Sequence, residues 1–377
     1  MTTERAPVLR AALVIALAAG LSHAACDGLD LQGDAATFGA VIAALVVRPD
    51  FSRWPPAIYP VLLVVVGLCM AIGVCLGLAL SELPQVFLFG LVAALMQLLT
   101  LLLPSRLRLL SGLIAVAGVL PLLGTPSWLT WGQELRAIAL GLAIGTAVQV
   151  SFTPLWRKPA DTSGGGGEPE AAEPPLAARI RQGLHSPFFW RKLVFASLAL
   201  AIGEGVGAIA PKYLYFGVVL LLNDTIGATL ARVRDRMVGV SLGVLMPLLV
   251  FNTLGMGDLQ VGIVMGGTAA LVTALRLDAH LRTALISSGV AFIGYGPLVA
   301  WYIPNRWIDY LMGCILAVAV GVLLAPNSAL RRFNTRSADQ AVSRSELEAL
   351  LPAAREEARW LGLPDPQTEP PGRSGGS

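Results

Sequence analysis

The sequence predicts an all-α polytopic membrane protein of about twelve transmembrane helices, arranged as two tandem six-helix repeats. Three observations lead there. The 377-residue chain is 55% hydrophobic and 14% charged, with a mean hydropathy of +0.70, whereas soluble domains carry about 25% charged residues. Its apolar runs recur along the chain with basic residues gathered between alternate runs, the pattern of helices threaded back and forth through a bilayer. The third observation is that the first half of the chain resembles the second.

The first run lies in RAALVIALAAGLSHAAC, Arg10 to Cys26, and it has two readings. Arg5 and Arg10 precede an apolar stretch, and Ser22 and Ala24 supply the small residues of a signal-peptidase site. As a lipoprotein signal ending at Cys26 the fit is poor, because His23 stands where an aliphatic residue is expected. The other reading is a first membrane helix that stays. The repeat favours it, since RAALVIALAAGLSHA (10–24) parallels RKLVFASLALAIGEG (191–205), which sets Arg10 opposite Arg191 and His23 opposite Glu204. A signal peptide is not an option in mid-chain.

Apolar runs near 8–25, 35–47, 57–80, 86–103, 109–123 and 136–155 make the first set, and 190–210, 213–222, 237–254, 259–275, 283–302 and 307–325 the second. A straight crossing needs about 20 apolar residues, so the second run of each set is too short alone. It either extends through flanking polar turns or is a broken helix packed inside protein. With the amino terminus placed inside, 24 of the 27 Lys and Arg residues fall on the inner side, the exceptions being Arg136, Lys212 and Arg306. The outer loops collect Asp27, Asp30, Asp34, Glu82, Glu134 and Asp258. Both termini are therefore expected in the cytoplasm.

The same reading divides the chain into a first repeat (1–156), a flexible cytoplasmic linker rich in Gly, Pro and Glu (157–187), a second repeat (188–328) and a cytoplasmic tail (329–377). In the tail, Ser345 and Glu348 have capping-box spacing at the start of a short amphipathic helix, ahead of a disordered end.

Several chemistries are excluded. The cysteines Cys26, Cys69, Cys75 and Cys314 form no CxxC and support neither a disulfide framework nor a metal site. Basic clusters flank apolar runs instead of forming an aromatic-laced stripe, which argues against nucleic acid as a partner. The sequence has no GxxxxGK[ST], HExxH or GxSxG and no concentrated set of His, Asp and Glu at helix depth, so neither an enzyme nor a cofactor is expected.

What remains is polar groups at membrane depth, which are costly and mark pathways or relays. His23, Glu204, Asp224 and Asp309 are the candidates for proton coupling, and Arg136, Arg236 and Arg306 for anion contact or gating. For His23 and Glu204 a solvated interfacial position stands beside proton transfer. For Arg136 and Arg306, snorkelling at a helix end stands beside anion contact, and Asp309 is placed to neutralise Arg306. Gly73 and Gly77, echoed by Gly239 and Gly243, have the small-xxx-small spacing of closely packed helices.

YFGVVLLLNDTIGATLARVRDRMVGVSLG (215–243), with the final RWIDYLMGCILAVAVGVLLAP (306–326), resembles the fusaric acid resistance and aromatic acid exporter superfamily. There a short second helix leads into a Gly-Ala-Thr-Leu-like turn, an arginine and a glycine-spaced third helix. Gly227, Ala228, Thr229 and Leu230 match the turn, Arg236 the arginine, and Gly239 and Gly243 the helix; Arg306, Asp309 and Gly313 match the closing span. In the first half VVRPDFSRWPPAIYP (46–60) replaces the turn, as in a compact, uncharacterised branch. The resemblance implies a proton-driven bacterial inner-membrane exporter of small, often aromatic carboxylates, working with a periplasmic adaptor and an outer-membrane channel, and open to homo-oligomers. With Glu204 and His23 read as the proton-coupling groups, Glu204→Gln is expected to abolish export while leaving membrane abundance intact. The alternative is a membrane scaffold that organises partner proteins through its linker and tail.

Overall fold

The computed structural model describes residues 5–31, 33–48, 58–102, 114, 116–122, 124–156, 175–207, 211–295, 299–323, 326–337 and 344–366, and among them there is no strand. The first half comprises α1 (Arg5–Gly28), α2 (Asp34–Val46), α3 (Ile58–Ala79), α4 (Gln85–Leu102) and α5 (Trp128–Trp156). After α6 (Leu176–His185) come α7 (Pro187–Gly205), α8 (Lys212–Leu221), α9 (Ile226–Gly243), α10 (Leu245–Leu254), α11 (Asp258–Ala274), α12 (Leu281–Phe292) and α13 (Val299–Leu323). The tail contributes α14 (Ala329–Ser337) and α15 (Arg344–Leu361).

Among the described residues five segments are long and apolar enough to cross a membrane: Leu9–Gly28, Ile58–Ala79, Trp128–Phe152, Ile226–Leu254 and Ile303–Leu323. Shorter apolar helices accompany these five clear candidates, against an expectation of about twelve. The short second runs are short in space as well. At 13 and 10 residues, α2 and α8 reach about 20 and 15 Å, against a hydrocarbon layer of about 30 Å. Most of the run near 109–123 lies outside the described residues, which show there the single turn Leu120–Leu122.

Helix starts differ from the sequence reading where polar residues open a helix. The run expected from 136 begins at Trp128, so Glu134 is inside α5 and not in a loop. Likewise Arg232, Arg234 and Arg236, assigned to an inner loop, ride on α9, which starts at Ile226 with Thr225 as its cap. Pro247 then separates α9 from α10, because a proline there cannot donate to the carbonyl one turn back. The downstream end of the expected linker is the amphipathic helix α6, packed on α4; residues 157–174 lie outside the described chain.

The two halves interlock. α1 packs along α11, and α4 along α7, so the first helix of each half meets the fourth apolar run of the other. Within the halves α2 packs on α5 and α8 on α13. Both of these crossings are glycine-built: a Cβ at Gly141 would strike the carbonyl of Gly39, and one at Gly217 would lie 2.7 Å from the Cα of Gly313. Backbones this close leave no room for a side chain.

The paired glycines read from the sequence are also at contacts, Gly73 against Gly118 and Pro121, Gly77 against Pro126 and Leu122, Gly239 against Thr283, and Gly243 against Ala284 and Ser287. Each large apolar cluster draws on both halves, one joining Met70, Phe89 and Met96 to Tyr215 and Val240, the other joining Ile15, Ala40 and Ala43 to Met265 and Phe292. Leu9, Leu13, Leu17 and Leu21 stay exposed along one stripe of α1, a surface suited to lipid.

Candidate functional site

Polar side chains collect in three places. The first is the end of the bundle where α1 finishes and α2, α5 and α11 begin. α1 is closed by Asp30 in the left-handed region (φ 56), with the Leu31 amide donating to the Cys26 carbonyl at 2.9 Å. That turn leaves His23 aimed at α11, where its Nδ1 lies 2.6 Å from Oδ1 of Asp258. The His23 side chain is 18% exposed and Asp258 45%, so the pair bridges two helices at a half-open edge. Nearby, the Ser22 hydroxyl is buried without a hydrogen-bond partner among the described residues. Glu134, on the second turn of α5, is 5% exposed. Its Oε2 has no hydrogen-bond partner among the described residues.

The second place is the middle of the α9–α13 contact. Arg236 donates from Nη2 to the Tyr310 hydroxyl at 3.2 Å, and its guanidinium stands 5.2 Å from the centre of the Tyr310 ring. Beside Tyr310, Asp309 is 4% exposed. The sequence reading had put Arg236 and Asp309 on opposite membrane faces; the structure places Arg236 at the depth of the middle of α13. Trp307 extends the site by donating to Ser241 Oγ at 3.1 Å.

The third place is the opposite end of the bundle, where α7 and α9 start and the tail folds back. Thr225 caps α9, its Oγ1 accepting from the Ala228 amide at 3.3 Å, while Thr229 Oγ1 donates to the Thr225 carbonyl and accepts from the Asn223 amide. Asp224 pairs with Arg332 at 2.9 Å, and its carbonyl accepts from Arg191 and Asn327. Lys192, 5% exposed, donates to Gln97 Oε1 of α4 at 3.0 Å and sits 5.5 Å from the Phe188 ring centre. Over this end lies α15: Glu357 Oε2 accepts from the Ala329 and Leu330 amides at the start of α14, and Glu356 pairs with Arg234 at 2.8 Å. A cavity of about 510 Å³ lies alongside α14, lined by Asn327, Arg331, Arg332 and Arg336 among others.

A comparison with known families decides what kind of bundle this is. Residues 198–320 match the family described as fusaric acid resistance protein-like. That stretch of the second half is similar to the family. No curated protein and no solved structure matches the chain. The match runs from the middle of α7 almost to the end of α13, and it includes the capped turn Gly227–Leu230, the Arg236–Tyr310 contact and the α8–α13 crossing. Together with the long apolar helices it marks a multi-pass membrane protein with a transport role.

Within the fusaric acid resistance protein-like half the sequence candidates separate. Asp224 belongs to the tail network, Arg236 and Asp309 flank Tyr310, and Glu204 is exposed at the end of α7. The side chain of Arg306 lies outside the described residues. In the other half His23 is paired, and exposed Arg136 donates to the Gly132 carbonyl of its own helix at 3.1 Å. Sequence reasoning missed several buried charged residues, Glu134 and Lys192 among them. Glu134 had been counted among loop acids and Lys192 among flanking basic residues, since each lies near the edge of its apolar run. A helical period counted outward from those edges would have found them.

Proposed function

We propose that the chain exports small amphipathic carboxylates, aromatic ones among them, across a bacterial inner membrane in exchange for protons. The observation that carries this reading is the fusaric acid resistance protein-like match, set on a chain with five long apolar helices. The solute's carboxylate would be met by Arg236 and Lys192. Each holds a cation beside an aromatic ring, Tyr310 or Phe188, and such a pair suits a ligand that joins an anion to a flat apolar body.

The halves would act as tandem repeats rocking about the glycine crossings. The mirrored contacts α1 on α11 and α4 on α7, and α2 on α5 and α8 on α13, support that pairing. In the proposed orientation both termini are cytoplasmic, the end with His23 and Asp258 faces the periplasm, and the tail end faces the cell interior. The His23–Asp258 pair then closes the outer edge between α1 and α11, where a proton from outside reaches it. An adaptor would dock at this edge. The scaffold reading is less well supported, because α15 is folded onto its own membrane domain and not held out for partners.

The test is uptake of labelled 4-hydroxybenzoate and fusarate into inverted vesicles, with and without an acid lumen. Gradient-dependent accumulation that needs the protein, and that Arg236→Ala lowers, is the expected result. Equal accumulation in vesicles lacking the protein would sink the reading.

A further inference from the structure

One deeply buried carboxyl has nothing to pair with among the described residues. Glu134 lies six residues into α5, about 9 Å along the helix, within the candidate span Trp128–Phe152. Its depth is set by its neighbours. One turn earlier Trp131 donates its indole N–H to the Gly67 carbonyl at 3.0 Å, and Gly67 also faces Leu135. Gly67 is the tenth residue of the 22-residue α3, so Glu134 stands beside the middle of an apolar helix. It is 5% exposed and neither a hydrogen bond nor an ion pair holds its carboxyl among the described residues.

Ionised, such a group carries the full cost of a buried, uncompensated charge; protonated, it carries only that of an unmet hydrogen bond. The elements packed on α5 are α1, α2 and α3. The titratable groups they bring to this end are His23, Cys26 and Asp27 from α1, Asp34 from α2 and Cys69 from α3. Asp34, exposed on the first turn of α2, is close enough to act on Glu134 by charge. Among the described residues no cation joins the two: Arg136 of α5 is turned back onto the Gly132 carbonyl.

We propose that Glu134 is the proton-binding carboxyl of the transport cycle, and that its charge sets the spacing of α2 and α5. This rests on the exporter reading. With a proton on Glu134 the buried acid is neutral, and α2 closes on α5 through the Gly39–Gly141 and Ala43–Gly145 contacts. When the proton leaves, two like charges face each other across that contact, Glu134 and Asp34. Because the contact is built on close backbone approaches at Gly141 and Gly145, repulsion at its mouth is free to part the helices. One proton is taken up by the carboxylate from the outer side and the same proton is released inward, while the solute moves outward.

The experiment uses full-length protein in liposomes with 4-hydroxybenzoate as the probe. Glu134→Gln is expected to lose accumulation driven by a pH gradient, down to the level of protein-free liposomes, while gradient-free counterflow of the probe persists. Gradient-driven accumulation equal to wild type would overturn the proposal. A wild-type protein that moves no carboxylate would instead overturn the exporter reading, and the carboxyl is then read directly. Dicyclohexylcarbodiimide, which attacks protonated carboxyls in apolar surroundings, should label Glu134 of the wild-type protein at neutral pH and lose the label as pH rises. A peptide carrying unlabelled Glu134 at neutral pH overturns the proposal whatever the transport result, and it does so without depending on whether the variant folds.

Discussion

The two ends of this bundle treat charge in opposite ways. At the tail end charges are abundant and answered: Asp224 by Arg332, Glu356 by Arg234 and Arg359, Glu346 by Arg336, and Glu357 by two helix-terminal amides. At the other end there are fewer charges, and the most deeply buried of them, Glu134, is answered by nothing among the described residues. A paired network holds one arrangement, because each partner removed leaves another unmet. A lone buried acid has no partner to fix its charge, so taking up or losing a proton is free to change what packs around it. The difference locates fold closure at the tail end and coupling at the other.

The largest expected effect tests that contrast among the acids themselves. Glu134→Gln and Glu204→Gln remove the same charge from two helices, yet Glu134 is buried in the bundle while Glu204 is exposed at the end of α7. Water stabilises either protonation state of an exposed carboxyl, so its loss changes little. Gradient-driven accumulation should disappear in the Glu134 variant and remain near wild type in the Glu204 variant at matched membrane abundance. The opposite ranking would return coupling to the residue that the repeat had singled out.

That reversal shows what the sequence could disclose. Apolar runs are visible because a bilayer demands them, and the helices Ile58–Ala79 and Gln85–Leu102 fall within one residue of the runs at 57–80 and 86–103. Helix starts were misread where polarity looked like a loop. Glu134, and Arg232, Arg234 and Arg236, open helices whose polar side chains face other helices or the membrane surface. α6 was hidden by the Gly- and Pro-rich stretch before it. The repeat alignment set His23 opposite Glu204, but only tertiary structure gives one a partner on α11 and leaves the other exposed. The docking of α15 was illegible for the same reason: an amphipathic helix declares an apolar face without naming what covers it.

Next in size are changes that lift the tail. A Cβ on Gly227 would collide with the Ala353 carbonyl of α15 and come within 3.2 Å of Glu357 Cβ, so Gly227→Val should separate α15 from α9. Overpacking of this kind costs about 1–3 kcal/mol. Glu357→Ala removes the carboxylate that caps α14, a loss of about 1–2 kcal/mol. In both variants trypsin should cut at Arg355 and Arg359 sooner than in wild type, with Gly227→Val the more sensitive. If the tail resists protease in both, α15 is held by something other than these contacts, and the closure assigned to this end is wrong.

The smallest effect is expected where the tail network meets solvent. The Asp224–Arg332 pair is short at 2.9 Å, but its side chains are 53% and 48% exposed. Exposed pairs contribute about 0–1 kcal/mol and weaken as salt screens them. Asp224→Asn should therefore lower the thermal midpoint in detergent by a few degrees at most, and the difference from wild type should vanish in high salt. The Asp224 carbonyl, not the carboxylate, receives Arg191 and Asn327, so the link from α7 to the α14 approach survives the substitution. A large, salt-independent loss would mean that the carboxylate is buried in the working protein by a surface this chain does not itself supply, and would move the weight of the tail end from the backbone of Asp224 to its side chain.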